Sequence, residues 1–229
     1  MRSGNRGTMR IRACIFDLDG VIVDTARYHF LAWKRLADQL DIPFSEKENE
    51  RLKGVSRMDS LNIILEIGGI SPDEATKLNY SARKNKWYVE FISKMTPGEI
   101  LPGAVEFIDS VRQAGLLTAI GSASKNTPMI LERTGIAGLF DAVADGNIVS
   151  KAKPDPEVFL RAAELIKVNP ADCVVFEDAA AGVKAAQNAG MMCIGIGSPV
   201  VLSEADYVVS GLDKMNIVLL EKLDKIHRS

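Results

Sequence analysis

Apolar positions follow two rhythms along this chain, and the change of rhythm divides it. Arg12 to Phe16 is a short run, Ala-Cys-Ile-Phe behind one arginine, that stops at Asp17-Leu18-Asp19-Gly20. A run of that length cut off by acids and glycine predicts a buried strand leading into a loop. From Thr25 to about Met95 the patterns are only helical. His29, Trp33, Leu36 and Leu40 lie at i, i+4, i+7 and i+11, one face of a helix. Met58, Leu61, Ile64 and Leu65 mark a second helix, stopped at Gly68-Gly69. Ser71-Pro72-Asp73-Glu74 has the form of a capping box with proline in the first helical position, which predicts a third helix from there.

After Pro97 strands alternate with helices. Helices are predicted over Ala104–Ala114 (closed by Gly115), Thr127–Thr134 (closed by Gly135), from Asp155-Pro156 onward, and over Ala179–Ala189; strands over Leu116–Gly121, Phe140–Ala144, Cys173–Phe176 and Met192–Gly197. Such alternation predicts an α/β protein, a Rossmann-like parallel sheet with helices on both faces. The expected division is an α/β core of residues 9–24 and 96–229, an all-helical cap of 25–95 inserted in it, and a disordered tail of 1–8.

Composition narrows the partners. The 229 residues carry 28 basic and 30 acidic side chains, a net charge of -2, which gives no footprint for nucleic acid or an acidic membrane. A small phosphorylated molecule needs only a local positive site and stays open. Cys14, Cys173 and Cys193 are an odd number in a long chain, as expected of buried thiols in a reducing cytoplasm. The longest uncharged stretch, Ala185 to Ser203, is broken by Gln187, Asn188, Gly190, Gly195, Gly197 and Pro199, so it predicts helix end, strand and loop instead of a membrane span. Residues 1–8 lack the apolar core of an export signal, and a cytoplasmic monomer is expected.

The segments that follow the strands converge on one edge of a parallel sheet, where such folds bind ligands. They are Asp17 and Asp19, Ser122 to Asn126, Lys153-Pro154, and Glu177-Asp178. A single aspartate after a strand is commonly a helix cap. Four carboxylates and one lysine after successive strands would instead repel one another without a cation, and hard oxygen ligands suit Mg²⁺.

Asp17-Leu18-Asp19-Gly20-Val21, Ser122, Lys153-Pro154 and Glu177-Asp178 resemble, in that order, the four motifs of the haloacid dehalogenase superfamily. Within it, the cap segments Asp24 to Trp33, Leu52 to Arg57, Arg83-Lys84-Asn85 and the loop Ser122 to Asn126 resemble the β-phosphoglucomutase branch. The resemblance implies Asp17 as nucleophile, forming an aspartyl-phosphate, and Asp19 as general acid and base. It implies Mg²⁺ held by Asp17, Glu177, Asp178 and the backbone carbonyl of Asp19, and a Lys153-Pro154 bond in the cis form. Ser122, the Ala123 N–H and Lys153 are the candidate donors to the transferring oxygens. Substrate and product would be β-D-glucose 1-phosphate and 6-phosphate, with β-glucose 1,6-bisphosphate as intermediate and activator.

A mutase needs a second phosphate site, and Arg57 with Ser124, Lys125 and Asn126 is the candidate set. Lys53, Gly54, Val55 and Ser56 flank Arg57, and Gly54 lets backbone approach the sugar. Thr25 is expected to support Asp19. His29 either serves the fold or, as the resemblance suggests, binds Asp19 or the sugar. Lys84 either contacts the sugar or belongs to a solvated run, Arg83 to Lys86. Trp33 is read as cap packing ahead of sugar stacking. The competing function is a capped sugar-phosphate or phosphoglycolate phosphatase on the same core; a phosphosugar-binding protein without catalysis is a more distant one.

Overall fold

The computed structural model describes residues 9–52 and 55–227. The expected tail at 1–8 and the expected substrate-binding residues Lys53 and Gly54 lie outside them. Six parallel strands form one sheet: β1 (Ala13–Phe16), β2 (Leu117–Gly121), β3 (Ala142–Ala144), β4 (Cys173–Glu177), β5 (Met192–Ile196) and β6 (Tyr207–Val209), in the order β3-β2-β1-β4-β5-β6. In β1 the side chains alternate between two apolar layers. Cys14 and Phe16 join one with Phe107, Ile108 and Val111. Ala13 and Ile15 join the other with Val158, Phe159 and Ala162. Both faces are therefore buried, as the continuous apolar runs require.

Among the described residues four α-helices lie between β1 and Pro97: α1 (Ala26–Gln39), α2 (Glu46–Asn49), α3 (Arg57–Ile67) and α4 (Glu74–Ile92). The core helices are α5 (Ala104–Gln113), α6 (Thr127–Thr134), α7 (Glu157–Leu165), α8 (Ala180–Asn188) and α9 (Ile217–His227). The segments entering and leaving the helical span run side by side. Val23 bridges Ile100, the Asp24 N–H donates to the Glu99 carbonyl and the Leu101 N–H to the Ile22 carbonyl, each at 2.9 Å.

The structure corrects some local expectations. The helix expected at Ser71 starts at Glu74, capped by Asp73, whose carboxylate accepts the Thr76 N–H at 2.8 Å. A charged acceptor complements the positive end of the helix better than a serine hydroxyl, and Pro72 disfavours helical geometry in the residue before it. Trp87 is buried beneath the guanidinium groups of Arg35 and Arg83, 4.4 and 5.6 Å from its ring. β6, α2 and α9 had no counterpart in the predicted pattern. Among the described residues no helix is long and apolar enough to cross a membrane.

Candidate active site

Register brings the polar chemistry together. Phe16 pairs with Ile120 on one side and Phe176 on the other, so Asp17, Gly121-Ser122 and Glu177 leave the sheet at the same level. The order turns outward in both directions from the β1–β4 pair, a topological switch point of the kind that holds ligands in open α/β sheets. Two glycines admit the acids. A Cβ on Gly20, at φ +82°, would lie 2.2 Å from Asp178 Oδ2, and one on Gly182 would lie 2.0 Å from Glu177 Cδ.

Lys153 is buried between two carboxylates, 2.5 Å from Asp17 Oδ1 and 2.8 Å from Glu177 Oε2. Burial disfavours its charge, but Asp17 and Glu177 together outweigh that and hold its pKa above the ordinary lysine value. Its bond to Pro154 is cis. Burial is also the main cause that raises Glu177 to about 7, with Asp17 adding to it and Lys153 opposing. Asp178 is pushed well up by burial and by Glu177 and Asp17. Carboxylate oxygens of Asp17, Glu177 and Asp178 lie within 4.8 Å of one another. Three hard oxygen donors against one lysine leave an excess of negative charge, and this donor set fits Mg²⁺.

Asp19 accepts a hydrogen bond from the Thr25 hydroxyl. Burial first and Asp17 second raise Asp19 to about 6, opposed by Thr25, Lys153 and Lys84. Both protonation states are therefore accessible near neutral pH. Ser122 is buried, and its hydroxyl oxygen accepts the Ser124 N–H at 3.2 Å, which leaves the hydroxyl hydrogen available to a ligand.

One cavity of about 620 Å³ joins these groups to the helical span. Asp17, Asp19, Glu177, Asp178 and Lys153 line it from the core; His29, Trp33, Val55, Ser56, Arg57 and Lys84 line it from the helices. Ser122, Ala123, Ser124, Lys125 and Asn126 complete the wall. Thr25 is buried behind Asp19 and does not line it. Among the described residues neither Arg57, Lys84 nor Lys125 has a carboxylate at ion-pair distance, so three cationic groups face this space uncompensated. Burial lowers the Arg57 pKa from its ordinary value.

Several residues differ from expectation. Lys84 is buried, only 2% exposed, and the alternative of a solvated lysine is wrong for it. Its Nζ lies 3.0 Å from His29 Nδ1 and over the Trp33 and Tyr88 rings at 4.5 and 4.7 Å. Burial, then Arg57, lowers its pKa to about 7, against the pull of Asp19. His29 thus pairs with Lys84. Its own pKa is pushed well below the usual value by burial, Lys84 and Arg57. The Ser56 hydroxyl caps α3, accepting the Asp59 N–H at 3.1 Å and donating to the Asp59 carboxylate at 2.6 Å. Trp33 is 2% exposed and lines the cavity. Sequence reasoning missed Ser60 and Ser81, buried polar residues on the cavity wall, and the role of Asn85, whose Oδ1 accepts from Asn126 at 3.3 Å. Serine inside an apolar helical stripe is the one sequence signal for the first two.

Residues 11–190 match the family model described as haloacid dehalogenase-like hydrolase. The chain belongs to that family, the class its parallel sheet and acid–lysine cluster define. Among its relatives, the β-phosphoglucomutase of Bacillus subtilis (strain 168) is 44% identical over 214 residues, 93% of this chain and 95% of that one. A crystal structure of β-phosphoglucomutase from Clostridium difficile superposes with a TM-score of 0.90 at 39% identity, covering 95% of this chain and 99% of the other. A phosphorylated carbohydrates phosphatase of Thermotoga maritima is 34% identical over 182 residues, 79% of this chain and 82% of its own.

Proposed function

We propose that the protein is a phosphomutase that interconverts β-D-glucose 1-phosphate and β-D-glucose 6-phosphate, with residues 25–95 as a cap over the core. One observation carries this reading: the cavity is lined both by the acid–lysine cluster and by cationic groups that have no carboxylate partner among the described residues, Arg57 and Lys125. A phosphatase needs only the first set. A mutase holds a bisphosphate and needs both.

The Asp17 carboxylate attacks the phosphoryl group, forming an aspartyl-phosphate as the bond to the sugar oxygen breaks. Asp19 gives its proton to that leaving oxygen and, in the return half, takes the proton of the incoming hydroxyl. Its pKa of about 6 suits both duties. Thr25 orients it. Lys153 and the Ser122 hydroxyl stabilise charge on the transferring oxygens. The side chains of Asp17, Glu177 and Asp178 with the Asp19 backbone carbonyl would hold Mg²⁺, which when bound offsets the repulsion between carboxylate and phosphate. Arg57, Ser124, Lys125 and Asn126 grip the phosphate that is not reacting, and Lys84 faces the sugar between the two. β-Glucose 1,6-bisphosphate then turns end for end and returns its other phosphate to Asp17. The cap, moving about the paired segments near Thr25 and Met95 to Leu101, keeps water from the aspartyl-phosphate.

The test is incubation with β-glucose 1-phosphate, Mg²⁺ and a trace of the bisphosphate. Glucose 6-phosphate is the expected product. Free phosphate in its place makes the protein a phosphatase, the activity of the Thermotoga relative, and no turnover makes it a binder. In the same assay Asp19→Asn is expected to keep its far-ultraviolet circular dichroism and Mg²⁺ affinity but lose about 10²- to 10⁴-fold in kcat. Near-normal turnover would overturn the role given to Asp19.

A further inference from the structure

β3 ends at Ala144, and the next three residues, Asp145-Gly146-Asn147, run along the back of the loop 122–126. The Gly146 N–H donates to the Ser124 carbonyl at 3.3 Å. The Asn147 side-chain amide donates to the Lys125 carbonyl at 3.0 Å and to Asp145 Oδ2 at 3.1 Å. Two acceptors fix which way this amide faces. Asp145, 5% exposed, also accepts the Asn147 N–H at 2.8 Å, so the asparagine is locked at its base as well as its tip. Gly146 is pressed against the loop: a Cβ there would lie 2.4 Å from the Ala123 carbonyl oxygen. Gly146 lies on the cavity wall, whereas Asp145 and Asn147 do not line it.

We propose that Asp145-Gly146-Asn147 is a positioning element for the phosphate that is not being transferred, with Asn147 as its key residue. The inference rests on the two-phosphate reading of the cavity. A carbonyl oxygen carries partial negative charge, and a loop that grips a dianion must turn such oxygens away from it. Here the Lys125 carbonyl is held by the Asn147 amide at 3.0 Å, and the Ser124 carbonyl by the Gly146 N–H at 3.3 Å together with the Thr127 hydroxyl at 2.9 Å. Lys125 and Asn126 are thereby left to present their side chains to the cavity. Among the described residues the side-chain hydrogen bonds of Asp145 and Asn147 go to each other and to the Lys125 carbonyl, so the expected effect falls on binding of the distal phosphate and not on phosphoryl transfer itself.

The experiment compares a substrate with a distal phosphate to one without. Acetyl phosphate has a single phosphate; its transfer to Asp17 breaks the bond between phosphorus and the acetate oxygen, releases acetate and asks nothing of Ser124, Lys125 or Asn126. Asn147→Ala is expected to raise KM for β-glucose 1-phosphate, and the calorimetric Kd of β-glucose 1,6-bisphosphate, about three- to tenfold, the loss of one hydrogen bond. Its kcat and its turnover of acetyl phosphate should stay at wild-type values. Gly146→Ala, whose added Cβ would meet the Ala123 carbonyl oxygen at 2.4 Å and Lys125 at 3.0 Å, should also raise the bisphosphate Kd. An unchanged bisphosphate Kd in Asn147→Ala would overturn the proposal. So would a fall in acetyl phosphate turnover matching that on the sugar, because the damage would then be to the whole site. A wild type that yields only free phosphate from the sugar removes the mutase reading alone; the bisphosphate Kd of variant against wild type still decides this one.

Discussion

Lys84 shows how one buried charge links stability to binding. With His29, Trp33 and Tyr88 around it and, among the described residues, no acid at ion-pair distance, it sits at about pKa 7, burial being the larger cause and Arg57 the next. The unfolded chain holds that proton to about pH 10.4. Between about 7 and 10.4 the unfolded state therefore binds more protons, and this group makes stability rise with pH; below about 7 both states are charged and its cost is full. Lys84→Met is expected to raise Tm, more at pH 6.5 than at pH 9, while raising KM for the sugar phosphate. An equal gain at both pH values would mean that charge burial is not the cause. The stability cost is expected of a group placed to meet the bound sugar phosphate. From sequence Lys84 was one cation in the run Arg83 to Lys86, with two open roles. Only the packing of α4 on α1 decides which of the four side chains turns inward.

At the scale of elements, α8 carries a glycine where helix propensity favours alanine by about 1 kcal/mol. Gly182 has no alternative, because its missing Cβ makes room for Glu177. Gly182→Ala is accordingly expected to destabilise by about 1–3 kcal/mol despite the propensity gain, and to weaken Mg²⁺ binding. Gly138→Ala, where a Cβ meets nothing within 4 Å, should leave Mg²⁺ affinity unchanged. Thermal unfolding with and without Mg²⁺ reads both. Elements with a clear period were legible: β1, β4 and β5 as apolar runs, and α1 by its Trp33 and Leu36 face. β6 and α2, three and four residues long, are too short for a period to register. The start of α4 was misplaced by a nearby serine and proline that suggest a cap as well as Asp73 does.

For the molecule as a whole, the net charge of -2 conceals a segregated cavity in which acids cluster at the sheet edge while Arg57, Lys84 and Lys125 face the same space. Mg²⁺ bound to the acids should stabilise the fold by mass action, by about 2.7 kcal/mol at a hundredfold excess over Kd. Glu177 must give up a proton held to about pH 7, so the Mg²⁺-induced rise in Tm should be larger at pH 8 than at pH 6. Chelation should reverse it, and a shift independent of pH would remove Glu177 from the ligand set. The sequence by itself determined the α/β class, the helical insertion, the family, and the acids and lysine that follow the strands, because each is written locally, in a period of apolar residues or a short motif after a strand. Tertiary structure alone decided the pairing of His29 with Lys84, the bracing of loop 122–126 by Asp145-Gly146-Asn147, and the close approach of Gly20 and Gly182 to the acids. Those depend on which distant segments meet and how closely, and side-chain periodicity carries no record of distance between elements remote in the chain.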